Sequence, residues 1–137
     1  MADIAAIRAG IAANISLALG ESMQVSPYMI SVPSPPCVYV IPDGITFDKA
    51  FVRGTDELRF VVRVLMPSTS DIGSQQALDL MCTTTDVTSI KNAVESDMTL
   101  GATVSWARVT DASAPKLVQH DGAPPYLSVD FAVQVMS

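Results

Sequence analysis

The chain contains one histidine, His120, so any mechanism that needs an imidazole acid or base must run through it. It lies beside Asp121 in a Gly/Pro-rich stretch, and no GxSxG elbow presents a serine to it. A solvated loop side chain is the expected role. Cys37 and Cys82 form no CxxC pair, and with a single histidine they cannot complete a four-ligand zinc set. Two unpaired, buried thiols in a reducing cytosol are expected. Carboxylates are numerous but not patterned: Asp43 and Asp48 straddle a turn, Asp56 and Glu57 stand at the base of a strand, and Asp97 follows a helix. They read as groups that keep an acidic chain soluble. No GxxxxGK loop is present to hold a triphosphate, and no GxGxxG follows a strand. Trp106 lacks the basic and aromatic companions of a base-stacking platform and reads as a core or edge aromatic. The residues therefore predict no enzyme, no cofactor and no metal site.

The elements that would position these groups follow from periodicity. Ile4, Ile7, Ile11, Ile15 and Leu19 recur every three or four positions among alanines, predicting a helix over Asp3–Leu19 that Gly20 stops. Its apolar stripe is expected in the core, with Arg8, Asn14 and Ser16 on the polar side. Five of the nine prolines fall between Pro27 and Pro42 and separate two short extended segments, Met23–Ile30 and Cys37–Ile41, neither expected to be a long central strand. Asp43–Asp56 carries Ile45, Phe47, Phe51 and Val52 between turn residues; it reads either as a flap on its own domain or as an arm reaching a neighbouring subunit.

Glu57–Leu65 alternates, with Leu58, Phe60, Val62 and Val64 on one side and Glu57, Arg59 and Arg63 on the other. Pro67 closes that strand. A second helix is predicted from Ser70 or Asp71 to Met81, with Ile72, Leu78 and Met81 inward. A short third helix is capped by Thr88 or Ser89, sets Glu95 beside Lys91, and ends at Gly101. Thr103–Asp111 and Tyr126–Met136 are the last strands, the second alternating cleanly from Leu127 to Val135, with a Pro- and Gly-bearing loop between them. The order has too few βα units for a doubly wound sheet. The expectation is one α+β domain spanning residues 1–137, with a mostly antiparallel or mixed sheet, an N-terminal helix and two further helices on one face.

Composition narrows the partners. The 137 residues carry 8 Lys+Arg against 14 Asp+Glu, a net charge of −6, which disfavours grip on nucleic acid. A charged fraction of 16% lies below the ~25% of ordinary soluble domains, which reads equally as apolar surface covered by other subunits or as a small Ala- and Val-rich monomer whose weakly polar surface is Ser and Thr. Asp3, Arg8 and Asn14 interrupt any signal-peptide core, and the longest strongly apolar run, Cys37–Ile41, is far too short for a membrane helix, so no membrane partner is expected.

Ser89–Thr110, reading SIKNAVESDMTLGATVSWARVT, then a Gly/Pro loop and YLSVDFAVQVM, resembles the C-terminal half of the tail-terminator (minor tail, head-tail joining) proteins of long-tailed bacteriophages, particularly those of actinobacteria. Upstream, Ser34-Pro35-Pro36, Ile45–Glu57 and Ser70–Asp79 are similar to that family's TPP, ITYDxAFxRGxDE and SDIGAQxxLD stretches, so the resemblance covers nearly the whole chain. It departs at Ala102 and Ser128, where the family carries glycine. The resemblance implies a structural virion protein without catalysis, assembled in the host bacterial cytoplasm and located at the tail neck. There it forms a homo-oligomeric ring, most often sixfold, that caps the tail tube protein, stops tail growth and docks the head-tail connector, with genomic DNA only as passing cargo. A head-completion or stopper protein on the portal side of the neck is the alternative. Under this reading Phe47, Phe51 and the Pro-rich connection are candidate subunit or tube contacts, and Arg59, Arg63 and Asp130 are candidates for polar contacts between rings. Cross-strand ion pairing within one sheet is the plainer role for those arginines.

Overall fold

The computed structural model describes residues 4–19, 24–28, 37–47, 56–67, 72–83, 89–100, 104–114, 116–118 and 126–136. Their elements, in chain order, are α1 (Ile4–Leu19), β1 (Gln24–Ser26), β2 (Cys37–Thr46), β3 (Glu57–Pro67), α2 (Ile72–Met81), α3 (Ile90–Glu95), β4 (Trp106–Ala112), β5 (Lys116–Val118) and β6 (Tyr126–Met136). The fold is α+β, as the sequence predicts. Six strands form one sheet in the order β1-β2-β3-β6-β4, with β5 also pairing β6. Among the described strands only the β1–β2 pair is parallel.

Period-two alternation in β2, β3, β4 and β6 sends one set of side chains to a single apolar face. Val38, Val40, Phe60, Val62, Val64, Val129, Phe131, Val133 and Val135 meet Ile7, Ile11 and Ile15 of α1, Leu78 of α2 and Ile90 and Val94 of α3 there. All three helices thus lie against one face of the sheet. Truncating Phe60 or Phe131, both fully buried, would cost ~3–5 kcal/mol.

Several boundaries differ from expectation for identifiable reasons. The second strand runs ten residues, past Pro42, because a register shift between Pro42 and Gly44 absorbs the missing N–H in a part of the strand that β1 does not flank. The Pro-bearing loop before β6 holds a three-residue strand, β5, so β4 and β5 together flank β6 along its length. Ile72 is 69% exposed, whereas Leu78 and Met81 of α2 are buried as expected. Cys37 is buried as expected, but Cys82 is exposed at the end of α2.

Asn14 is also placed differently. Rather than facing solvent it is buried, and its Nδ2 donates to Val94 O (3.1 Å) and Asp97 O (3.0 Å), tying α1 to the end of α3. Close approach at this corner is allowed by Gly10, where a Cβ would lie 2.8 Å from the Leu100 Cβ. Leu100 itself has φ 51°, a left-handed conformation that a buried leucine holds only because packing imposes it.

Candidate functional site

Among the described residues no helix lies on the second face of the sheet, and the alternation of β3 and β6 sends the chemistry-bearing residues there. Antiparallel pairing then decides which ones meet. Arg63 stands opposite both Tyr39 and Asp130, Arg59 opposite Gly44 and Gln134, and Arg108 opposite Gln134 from the other side. The face therefore carries cross-strand rows of polar groups, and a small apolar cluster of Cys37, Tyr39 and Leu65 lies at one end.

Arg63 and Asp130 form a two-pronged pair, Nε to Oδ1 at 2.8 Å and Nη2 to Oδ2 at 3.2 Å, with both side chains about a third exposed. The hydrogen bond to Asp130 raises the guanidinium's pKa well above its usual range; burial opposes the rise and Tyr39 adds to it. Asp130 is held from its other side, because Ser113 N donates to Asp130 O (2.8 Å) and Asp130 N donates to Ser113 Oγ (3.0 Å). Within the subunit both charges of the pair are satisfied. This is the cross-strand role that the alternation made the plainer reading.

Arg59 is arranged differently. Its Nη1 donates to Thr46 Oγ1 at 3.0 Å, and its Nη2 lies where a Cβ on Gly44 would come within 2.6 Å, so glycine is what lets the guanidinium lie flat across β2. It borders a shallow trough of ≈ 270 Å³ whose lining mixes Asp43, Glu57, Thr110, Asp111 and Gln134 with the apolar Phe60, Ala132 and Val133. Gln134 Nε2 donates to Glu57 Oε1 at 2.7 Å across the same trough. Arg108 lies over the Trp106 ring, 5.2 Å from its centroid, so the indole face that a base would need is occupied by a cation of the same strand.

Phe47 is placed in the turn after β2 and is 70% exposed, which suits a contact residue. Phe51, the Pro-rich connection and His120 lie outside the described residues. Although Cys82 is exposed, partial desolvation and then the nearby Asp79 charge push its thiol pKa up, which keeps it protonated and a poor nucleophile. Among the described residues no group of three or more His, Cys, Asp or Glu could hold a metal ion. Also among them, no helix is long and apolar enough to cross a membrane.

Sequence reasoning singled out Arg59, Arg63 and Asp130 as candidates but not Thr46, Ser113 and Gln134, which hold or flank them. Their signal was the strand register: once Arg63 is set against Asp130, antiparallel pairing forces Arg59 against Gln134.

No protein-family model and no curated protein matches the chain. Among solved structures it is similar to a chain described as "Virion of native gene transfer agent (GTA) particle", at 11% identity and a TM-score of 0.36, covering 95% of this chain and 94% of that one. A superposition that loose transfers neither detail of fold nor function.

Proposed function

We propose that this chain is a structural virion protein: a tail terminator that forms a homo-oligomeric ring on the tail tube protein, ends its growth and offers a docking face to the head-tail connector. The observation that carries the reading is the run Ser89–Thr110 and its continuation Tyr126–Val135, which resembles the tail-terminator family in order and spacing. These residues do consistent structural work here. Ser89 caps α3 by accepting from Asn92 N, Lys91 and Glu95 reach β4, Leu100 makes the left-handed corner, and Tyr126–Met136 is a central strand of the sheet.

Under this reading Phe47 and Phe51, at and beyond the end of β2, supply apolar contacts to the neighbouring subunit or the tube. Arg59 supplies a polar contact between rings. Arg63 and Asp130 act at that contact as a pre-formed pair and not as separate charges. The low charged fraction suits a surface shared between subunits, and heterologous contacts that close produce a ring. Net acidity suits a bore that DNA crosses without sticking.

Electron microscopy of a lysate from a phage whose copy of this gene is disabled tests the reading. Filled heads beside unattached tails of irregular, excessive length are expected. Tails of normal length beside empty or leaking heads would move the protein to the portal side of the neck, as a stopper. Intact infectious virions would remove it from the neck. In the purified protein, Phe47→Ala with Phe51→Ala is expected to abolish ring formation while leaving the fold unchanged by circular dichroism.

A further inference from the structure

Among the described residues the outer edge of β4 is the long edge of the sheet with no strand paired to it, since the opposite edge ends in the three-residue β1. Exposed edges of this kind pair readily with another strand. At its centre, however, the backbone is already occupied. Val109 N donates to Glu95 Oε2 at 3.2 Å, and Lys91 Nζ donates to Val109 O at 3.1 Å. Lys91 and Glu95 are one helical turn apart on α3 and bonded to each other at 2.5 Å. Val109 stands opposite Val133, and the alternation of the ladder turns its N–H and C=O away from β6. The two side chains thus take the positions that a neighbouring strand's carbonyl and amide would fill.

We propose that the Lys91–Glu95 pair is a clip that closes the β4 edge against pairing with the β4 of a second copy. The second copy is the occupant the edge would otherwise take. Two β4 strands laid antiparallel about Val109 bring Arg108 of each beside Thr110 and Asp111 of the other, so the charges along the strand complement themselves. Such a pairing consumes the edge in a way unrelated to a closed ring, and the clip removes it without altering the β4–β6 ladder. A second irregularity supports the same role: the register shift between Val109 and Asp111 bends the edge just past the clipped residue.

The test compares the unaltered 137-residue chain with Lys91→Ala/Glu95→Ala and with Glu95→Gln, which keeps an acceptor for Val109 N. Sedimentation velocity over a wide concentration range reads self-association, and hydrogen exchange reads the Val109 amide. The double variant is expected to self-associate roughly tenfold more tightly than wild type. Adding Arg108→Asp should suppress that gain, and Glu95→Gln should behave as wild type. In wild type the Val109 amide should be protected, and the protection should be lost in dilute double variant. A folded double variant that associates no more than wild type overturns the proposal, and so does association that survives Arg108→Asp. If the double variant does not fold, Lys91→Ala alone, at a side chain 40% exposed, frees the Val109 carbonyl, and its association is read the same way. Fast Val109 exchange in wild type would also sink the proposal. None of these outcomes depends on whether the protein terminates tails.

Discussion

Replacing Asn14 is the sharpest test of how the helical layer is held. Its buried amide donates to two carbonyls, Val94 O in the last turn of α3 and Asp97 O just past its end. A buried acceptor left unpaired costs ~1–3 kcal/mol; Asp97 O keeps its bond from Leu100 N, so Asn14→Ala, which takes the donor from Val94 O, should lose ~1–3 kcal/mol, or about 5–10 °C in Tm. Asn14→Asp separates hydrogen bonding from packing, because it keeps the shape but aims a carboxylate at two carbonyl oxygens. Its folded-state pKa must lie above the unfolded value of ~3.9, since the charged form is disfavoured in the fold. The penalty is therefore absent below ~pH 4, builds as pH rises above the unfolded pKa and is complete once the pH exceeds the raised folded pKa. Urea unfolding at neutral and acidic pH reads both effects: Asn14→Asp should be the less stable variant at pH 7, and should match or exceed Asn14→Ala near pH 4. An Asn14→Ala protein within ~0.5 kcal/mol of wild type, or a pH-independent gap between the variants, would refute the reasoning.

Gly10→Ala should destabilise by ~1 kcal/mol in thermal unfolding, where an unhindered mid-helix glycine would instead gain ~1 kcal/mol, because the new Cβ meets the Leu100 Cβ at 2.8 Å. Leu100→Ala should not relieve it, since the contact is with Cβ. A double-mutant cycle on Arg63→Ala and Asp130→Ala should give a coupling of ~1 kcal/mol, discounted for the partial exposure of both side chains and weakened by salt; zero coupling would show that the pair does not hold the sheet.

The strands and the core were legible because burial here follows simple periods. Leu127 to Val135 alternate in the sequence and are buried in the structure, and Leu58 to Val64 behave the same way. Ser89 and the Lys91–Glu95 spacing marked α3 for the same local reason. What escaped was set by contacts between distant residues. Asn14 reads as polar surface on a helical wheel, yet it is buried because the end of α3, eighty residues on, needs a donor. Pro42 reads as a strand terminator, but a bulge lets the strand continue. Arg63 and Asp130 were both singled out, while their union depends on a β3–β6 register that no local pattern encodes.

These features constrain how copies of the chain can meet. A sheet recruits another strand only through a free edge, and here one edge is three residues long while the other has its central amide and carbonyl bonded by side chains. Strand addition also tends to be open-ended, because each added strand presents a new edge. Contacts through side chains on a face have no such continuation and can be heterologous, so that a fixed rotation closes them. The helix-covered face is spent on the core. What remains among the described residues is the uncovered face, with Arg59 lying flat across Gly44, and the exposed Phe47 at the end of β2. An interface built there couples an aromatic anchor to a polar face already ordered by its own cross-strand bonds, so little side-chain entropy is left to lose on docking. Phe47→Ala should therefore weaken association far more than Arg63→Ala does, whereas the order should reverse for the stability of the single subunit.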